Sequence, residues 1–591
     1  MKRYFALAGL ALGLTFVVAS SAWAAPCDSL AGLNVTGGKV ISAEHVDKGK
    51  GPPTERMTVA NFSPMPGYCR VKASVSSGPG SKIQIEVWLP DSEDWNGKFF
   101  GTGNGAFGGT MPIDWLSSGV RLHYATANTD MGTADAGGYD GGIGKPEYIK
   151  DWGWRSTHAM TVVGKEVTQA FYHKSIVTSI FAGCSTGGHQ GLMEAQRFPD
   201  DYKGIVAGDP GNYRIGLHLA FLYYPRVAHD NPGFWISRDQ ATMVRQRVLA
   251  RCAGQNSGLK SDDFVANPST CDFDPQSLLC RAGDDSHTCL TASQLAMLKK
   301  IYAGVQNLAN GHTIYPGEPF GTEVSMMSRL GAQEGAPLPG NSSLINWAKG
   351  TAFDPATFDF NKDVEELYTM WGADINAVSA DLSQFRRQGG KLILFHGWED
   401  TTVSPYDSIN YYDRLSSSES FARLFMVPGM GHCLNGPGFT NFGARSVEGE
   451  VDDADHNIIL ALDRWVSTGK APEKVIATKW SGGGGRGAAG APAGRGAAAA
   501  PDGRGGAGAP ANNTPARGGN GGQDNVAVVP AAPIPRTVEG TRPLCAYPNV
   551  AQYKGAGDVT KAENFQCVAA ARAKYIPPAP EYLVNAGTFG R

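Results

Sequence analysis

The chain has almost no net charge for its length, no C-x-x-C pair, and beyond its first two dozen residues no long apolar run. Each absence excludes something. With 52 Lys and Arg against 55 Asp and Glu the formal charge is −3, so no global basic field gathers nucleic acid or an anionic membrane, and neither is an expected partner. The ten cysteines lack the pairwise spacing of a zinc cluster or a thioredoxin-like site. Past residue 24 nothing approaches the ~20 apolar residues of a membrane span, so the mature chain is expected to be soluble.

What is present begins at the N-terminus. Lys2 and Arg3 precede an apolar run, Phe5 to Val18, which is followed by Ser20, Ser21 and Ala22-Trp23-Ala24. Residues 1–24 therefore read as a signal peptide, with Ala25 opening the mature chain, and the protein is expected to be exported, periplasmic or secreted. An even number of cysteines suits disulfides in that compartment. Spacing does not fix their connectivity, although near neighbours such as Cys280 and Cys289 are natural candidates.

At 591 residues the chain exceeds one ordinary core, which implies several folding units or one core with a large insertion. Tyr68 to Pro90 alternates apolar and polar residues and reads as antiparallel strands with one solvated face. Lys98-Phe99-Phe100 runs into the glycine-rich Gly101 to Gly105. A helical stretch from Trp154 to Tyr172, an apolar strand Ile176 to Ala182, a helix Thr186 to Phe198 and a strand Gly204 to Gly208 follow. Strands alternating with helices indicate a mainly parallel sheet.

Residues 213–388 change texture: helical patterns mix with loops, four cysteines cluster, and strand signals are few. The strand pattern returns at Lys391 to His396 and at Arg423 to Val427. The expected class is α/β: a hydrolase-type core (25–212 and 389–480) with a large, mostly helical lid (213–388) inserted before the strand that carries an acid. Residues 481–523 are almost all Gly, Ala, Pro and Arg and cannot bury a core, so they read as a flexible linker. Their Arg-Gly-Gly steps at Arg504 and Arg517 are of the kind seen in RNA-binding tails, but a solvated linker suits an exported chain better. Residues 524–591, with Cys545 and Cys567, are expected to dock back on the core.

Gly183-Cys184-Ser185-Thr186-Gly187 matches the G-x-S-x-G turn between a strand and a helix that lifts a serine hydroxyl above a sheet edge. The same turn aims the Thr186 N–H, at a helix N-terminus, towards a developing oxyanion. A serine needs a base, and the base an acid, in the chain order Ser, acid, His. Asp400, after the strand ending at His396, is the expected acid with Glu399 as its solvated neighbour, and His432 in Pro428 to Cys433 is the expected base. His189 and His396 read as packing or hydrogen-bonding residues, and Asp209 as a residue that orients a loop. The second oxyanion donor is expected from Gly103-Asn104-Gly105, with Gly103 and Gly105 as candidates. Cys184 precedes the serine and Cys433 follows the histidine. A hydrogen bond between Ser185 and His432 would bring the two within bonding separation, and a Cys184–Cys433 disulfide is predicted.

With these residues in hand, the chain resembles the tannase and feruloyl esterase family, which also contains the hydrolase of mono(2-hydroxyethyl) terephthalate. The matching pieces are Gly183 to Gly188, Gly191 to Pro199, Gly204 to Gly208, Gly397 to Asp400, Gly429 to Cys433 and Arg542 to Cys545. The resemblance implies disulfides Cys27–Cys69, Cys184–Cys433, Cys252–Cys271, Cys280–Cys289 and Cys545–Cys567, and a lid that supplies much of the acyl pocket. It implies a small ester of a hydroxylated aromatic acid as substrate, with a terephthalate monoester as the alternative. That alternative calls for a cation, for which Arg226 and Arg329 are the candidates. Tyr223, Trp235, Trp347 and Trp371 are aromatic residues that could clamp a ring. No cofactor is required. The family's calcium loop is depleted here, leaving only Asp262 and Asp263 as weak calcium candidates. His189 stands where arginine is frequent in the family. The competing readings are a non-catalytic binding protein on a hydrolase scaffold and a serine peptidase.

Overall fold

The computed structural model describes residues 24–51, 65–134, 141–444, 451–481 and 537–583, apart from 256, 286, 328, 331, 332, 336 and 339–342. Residues 1–23, where the signal peptide is expected, and 482–536, which hold nearly all of the expected linker, lie outside the described residues.

Ten strands form one sheet in the order β1-β2-β3-β4-β6-β5-β7-β8-β11-β12. These are β1 (Asn34–Val35), β2 (Gly38–Val46), β3 (Tyr68–Val75), β4 (Ile83–Pro90), β5 (Phe99–Thr102), β6 (Ala125–Thr129), β7 (Ser179–Cys184) and β8 (Gly204–Gly208). After the insertion, which holds β9 (Val305–Gln306) and β10 (Thr313–Tyr315), come β11 (Lys391–Gly397) and β12 (Ala422–Val427). Pairing is antiparallel from β1 through β4 to β6 and parallel from there to β12. The central strands β5 to β8 are buried along their whole length, including β6, whose Thr126, Asn128 and Thr129 interrupt any apolar run.

Helices Ser156–Tyr172, Thr186–Arg197 and Pro405–Arg414 cover one face, packing Met160, Val163, Leu192, Met193 and Ile409 against it. Ile458–Thr468 covers the other with Ile459, Leu462 and Trp465. This is the three-layer α/β-hydrolase arrangement.

One face of β3 and β4 was expected to be solvated. Lys72 on that face is exposed, but at its other end Tyr68 and Trp88 pack under Leu116 and Val120 of helix Ile113–Arg121. Two charged residues of that face satisfy each other. Arg70 makes two 2.8 Å hydrogen bonds to Glu86, and Trp88 Nε1 donates to Glu86 Oε2 at 3.0 Å. The alternation correctly gave the strand type, but not the helix that covers one end of the second face.

The insertion between β8 and β11 is mostly helical, with Arg214–Asp230, Arg238–Cys252, Ala292–Ala303 and Lys362–Ile375 as its longest helices. Its hydrophobic cluster also takes in Met131, Tyr148, Ile149 and Trp152 from the first half of the chain. Near its end, Ala377, Leu382 and Phe385 belong to the core under the sheet, so the insertion proper closes before residue 388.

β13 (Lys474–Trp480) pairs antiparallel with β14 (Val538–Cys545), Tyr547 N donates to Leu424 O on β12, and β15 (Val550–Tyr553) pairs with β16 (Phe565–Val568). Further on, Tyr582 reaches the insertion, where Asn307 Nδ2 donates to its hydroxyl at 2.9 Å. All ten cysteines pair, as Cys27–Cys69, Cys184–Cys433, Cys252–Cys271, Cys280–Cys289 and Cys545–Cys567.

Candidate active site

At the end of β7 the chain turns sharply into helix Thr186–Arg197, and Ser185 sits in that turn with φ 64° and ψ −119°. A non-glycine residue there is strained, and the surroundings hold it: Ser185 N donates to Gly208 O at 2.9 Å, and its carbonyl accepts from His189 N at 3.1 Å. Only glycine fits beside the turn. A Cβ on Gly103 would lie 2.4 Å from Gly187 Cα, so the early glycine loop presses directly on the elbow.

The loops after β11 and β12 meet above this turn. Glu399 N donates to Met430 O at 2.8 Å, and a Cβ on Gly397 would strike that same carbonyl at 2.3 Å. His432 Nε2 lies 2.8 Å from Ser185 Oγ, and His432 Nδ1 lies 2.7 Å from Asp400 Oδ2. Asp400 Oδ1 accepts the N–H groups of Thr402 at 2.7 Å and Val403 at 3.0 Å. Burial alone would raise the Asp400 pKa, but His432 beside it and hydrogen bonds from His396 and His432 hold it far below the ordinary carboxylate range. An ionised carboxylate only accepts, so Nδ1 carries the imidazole proton and Nε2 is left to accept from the serine hydroxyl.

A second carboxyl backs this line. Asp209, fully buried at the end of β8 with φ 35°, accepts Gly397 N at 2.9 Å and lies beside Cys184 and Asp400. Burial and then the Asp400 charge push its pKa well up, so it is neutral beside an ionised partner. Orienting the loop, as expected from sequence, is its visible role.

His396 is a buried hydrogen-bonding residue. Its Nε2 donates towards Val403 O at 3.0 Å and lies 3.2 Å from Asp400 Oδ2, while Nδ1 accepts from Ser408 Oγ at 2.7 Å. His189 is likewise internal, with Nε2 donating to Ile375 O at 2.8 Å and its ring stacked on Trp152.

Two expectations fail. Glu399 is not solvated: it pairs with Arg245 of the insertion at 2.9 Å, and burial raises its pKa to about 7. Gly103 is not available as an oxyanion donor, because its N–H is spent on Ala182 O at 3.0 Å. The Asn104 N–H is spent too, on Gln190 Oε1 at 2.8 Å. The amides of Gly105 and Thr186 donate to no acceptor among the described residues and remain candidates.

Sequence reasoning missed two polar residues that order this region. Gln190 Nε2 donates to Asn104 Oδ1 at 3.1 Å and Thr157 Oγ1 at 2.9 Å, which fixes the glycine loop to the elbow helix. Arg214 Nη2 donates to Thr186 Oγ1 at 2.7 Å, and that hydroxyl donates to Ala106 O at 2.7 Å. The available signal was a polar residue on an otherwise apolar or glycine-rich helix face.

Of the aromatic candidates, Trp347 stands beside the glycine loop, 4.9 Å from the Phe107 ring and 5.5 Å from both Trp152 and Tyr148. Tyr223 and Trp371 are buried in the insertion's core, and Trp235 packs against it. Neither cation candidate stands free. Arg226 pairs with Asp230 and donates to Pro355 O, and Arg329 lies over Phe221.

The carboxylate of the calcium candidate Asp262 is engaged elsewhere. Asp262 pairs at 2.8 Å with Arg542, itself packed among Phe264, Phe439 and Phe565, and only the backbone carbonyl of Asp263 is engaged, by Arg245. A guanidinium already supplies the positive charge there, and two carboxylates fall short of six to eight oxygen ligands.

The family model described as tannase and feruloyl esterase matches residues 69–568. The chain belongs to that family. An uncharacterized esterase of Xanthomonas campestris pv. campestris is 32% identical, covering 96% of this chain and 95% of its own length. A probable feruloyl esterase B of Emericella nidulans is also 32% identical, over 71% of this chain and 80% of its own. Among solved structures, feruloyl esterase B from Aspergillus oryzae superposes with a TM-score of 0.74 at 27% identity, covering 92% of this chain and 99% of the other. Tannin acyl hydrolase from Aspergillus niger, at 19% identity and a TM-score of 0.64, shares the fold over 91% and 92% of the two chains. Family membership makes the protein a carboxylic-ester hydrolase of the feruloyl esterase and tannase type. No helix among the described residues is long and apolar enough to cross a membrane.

Proposed function

We propose that the protein is an exported serine esterase that cleaves small esters of hydroxylated aromatic acids, feruloyl or galloyl, through an acyl-enzyme. The alignment of Ser185, His432 and Asp400 at 2.8 and 2.7 Å carries this reading. Ser185 Oγ attacks the ester carbonyl as its proton passes to His432 Nε2, and Asp400 stabilises the resulting imidazolium. The carbonyl oxygen becomes an oxyanion facing the Thr186 and Gly105 amides. His432 then protonates the departing alcohol oxygen and next activates the water that releases the acid. Half-buried Phe107, backed by the buried rings of Trp152 and Trp347 beside the glycine loop, supports a planar acyl group. The insertion acts as the lid over it. The ion pair of Arg226 with Asp230 weighs against Arg226 as the cation that a terephthalate monoester calls for.

Hydrolysis of methyl ferulate, methyl gallate and mono(2-hydroxyethyl) terephthalate by the oxidised protein tests this, beside Ser185→Ala and Asp400→Asn. Turnover of one of the first two, lost by about 10⁴-fold or more in kcat in both variants, is expected. Unchanged turnover in Ser185→Ala refutes the mechanism, and preference for the terephthalate ester refutes the acyl class.

A further inference from the structure

Helix Arg214–Asp230 opens on a cation that the mechanism above does not use. Arg214 is 5% exposed, with Cζ 5.1 Å from the Trp152 ring centroid. No carboxylate among the described residues pairs with it, and its Nε reaches no protein acceptor. The titratable groups around it are neutral: burial holds His218, one turn along, and His189 below the ordinary imidazole range, and raises the Tyr315 phenol. Burial pulls Arg214 itself down to about 10, which leaves it charged at neutral pH. An uncompensated buried charge is expensive, so its position calls for a return elsewhere.

The bonds it makes lead to the reacting centre. Arg214 Nη2 donates to Thr186 Oγ1, which fixes the hydroxyl proton on the far side, towards Ala106 O. Thr186 is the residue after the nucleophile, and Ala106, at φ 47°, follows Gly105. One relay therefore clamps together the two backbone segments that carry both candidate oxyanion donors.

We propose that Arg214 is a positioning residue of the oxyanion hole, holding the Thr186 and Gly105 amides in register through the Thr186 hydroxyl and adding a positive charge behind them. The inference rests on the serine-esterase reading. A contact made only to developing negative charge accelerates chemistry without tightening ground-state binding.

The test is the rate at which a fluorophosphonate labels the protein. Ser185 Oγ attacks phosphorus, fluoride leaves, and the anionic phosphoryl oxygen occupies the oxyanion hole, so no natural substrate need be known. Arg214→Met, which keeps the apolar stem over Trp152, and Thr186→Val are each expected to label about 10–100-fold more slowly, with intact disulfides and melting temperature. Arg214→Lys recovers part of the first loss and Thr186→Ser most of the second, while the Met/Val double variant is no slower than Arg214→Met alone. With methyl ferulate the loss falls in kcat and leaves KM within about three-fold. A folded Arg214→Met that labels at the wild-type rate overturns the proposal. If Arg214→Met does not fold, equal rates for Thr186→Val and Thr186→Ser overturn it. Labelling of Ser185→Ala would instead overturn the esterase mechanism itself.

Discussion

The Cys184–Cys433 bond joins the residue before Ser185 to the residue after His432, with a Cα–Cα separation of 5.8 Å across 249 residues of chain. Replacing both with alanine separates two roles the bond could have. In the chain-entropy relation a loop of 249 residues is worth about 5.5 kcal/mol at 25 °C. The two disulfides nested inside it, Cys252–Cys271 and Cys280–Cys289, shorten the path little, and the dependence is logarithmic. At about 1–2 °C per kcal/mol for a folding unit of this size, the melting temperature should fall by roughly 5–10 °C. The alignment of Ser185 with His432 has independent supports: parallel pairing of β8, β11 and β12, the Asp209–Gly397 hydrogen bond, and the Glu399 N to Met430 O bond. The kcat at 25 °C should therefore drop by less than about ten-fold. A thermal melt and steady-state hydrolysis of the same oxidised preparations measure both. A melting temperature lowered by less than about 3 °C refutes the entropic argument. A kcat loss beyond about 10³-fold at unchanged stability shows that the bond, not the sheet, sets the geometry.

The remaining predictions concern buried charge. Burial raises Glu318 to about 8 although Arg329 opposes the shift, and Asp407 is raised to about 7. Between an unfolded value of 4.5 and about 8 the folded state keeps a proton that the unfolded chain has lost. The stabilisation is complete below the unfolded pKa and is lost as pH rises through the folded one, so the melting temperature should decline from pH 5 to pH 8.5. Glu318→Gln should flatten that decline by an amount on the order of several kcal/mol, and parallel wild-type and variant profiles would refute the assignment. Arg542→Met leaves Asp262 buried without its partner and should cost about 3–5 kcal/mol by denaturant unfolding. Chelation with EDTA should change neither the melting temperature nor the activity, and a loss reversed by added calcium would refute the charge assignment at Asp262.

The local and covalent layers were legible in the sequence. The apolar run, the G-x-S-x-G turn and the helix after it specify the elbow because they are determined within twenty residues by backbone geometry and burial. The order of Ser185, Asp400 and His432 was readable because each follows a strand whose own pattern is strong. The pairing of all ten cysteines came from family resemblance, with Cys184–Cys433 alone argued from the residues beside it. What only the tertiary structure decided lies between segments distant in sequence. The helix Ile113–Arg121 buried the Tyr68 and Trp88 end of a half-polar β3–β4 face, and Arg245 from the insertion took Glu399 out of solvent. Ala182 consumed the Gly103 amide, Arg542 claimed Asp262 across 280 residues, and Arg214 entered the site through Thr186. A side chain's type is written at its own position. Whether its hydrogen-bonding capacity and charge are free or spent depends on what the fold brings against it, and period and composition contain no term for that.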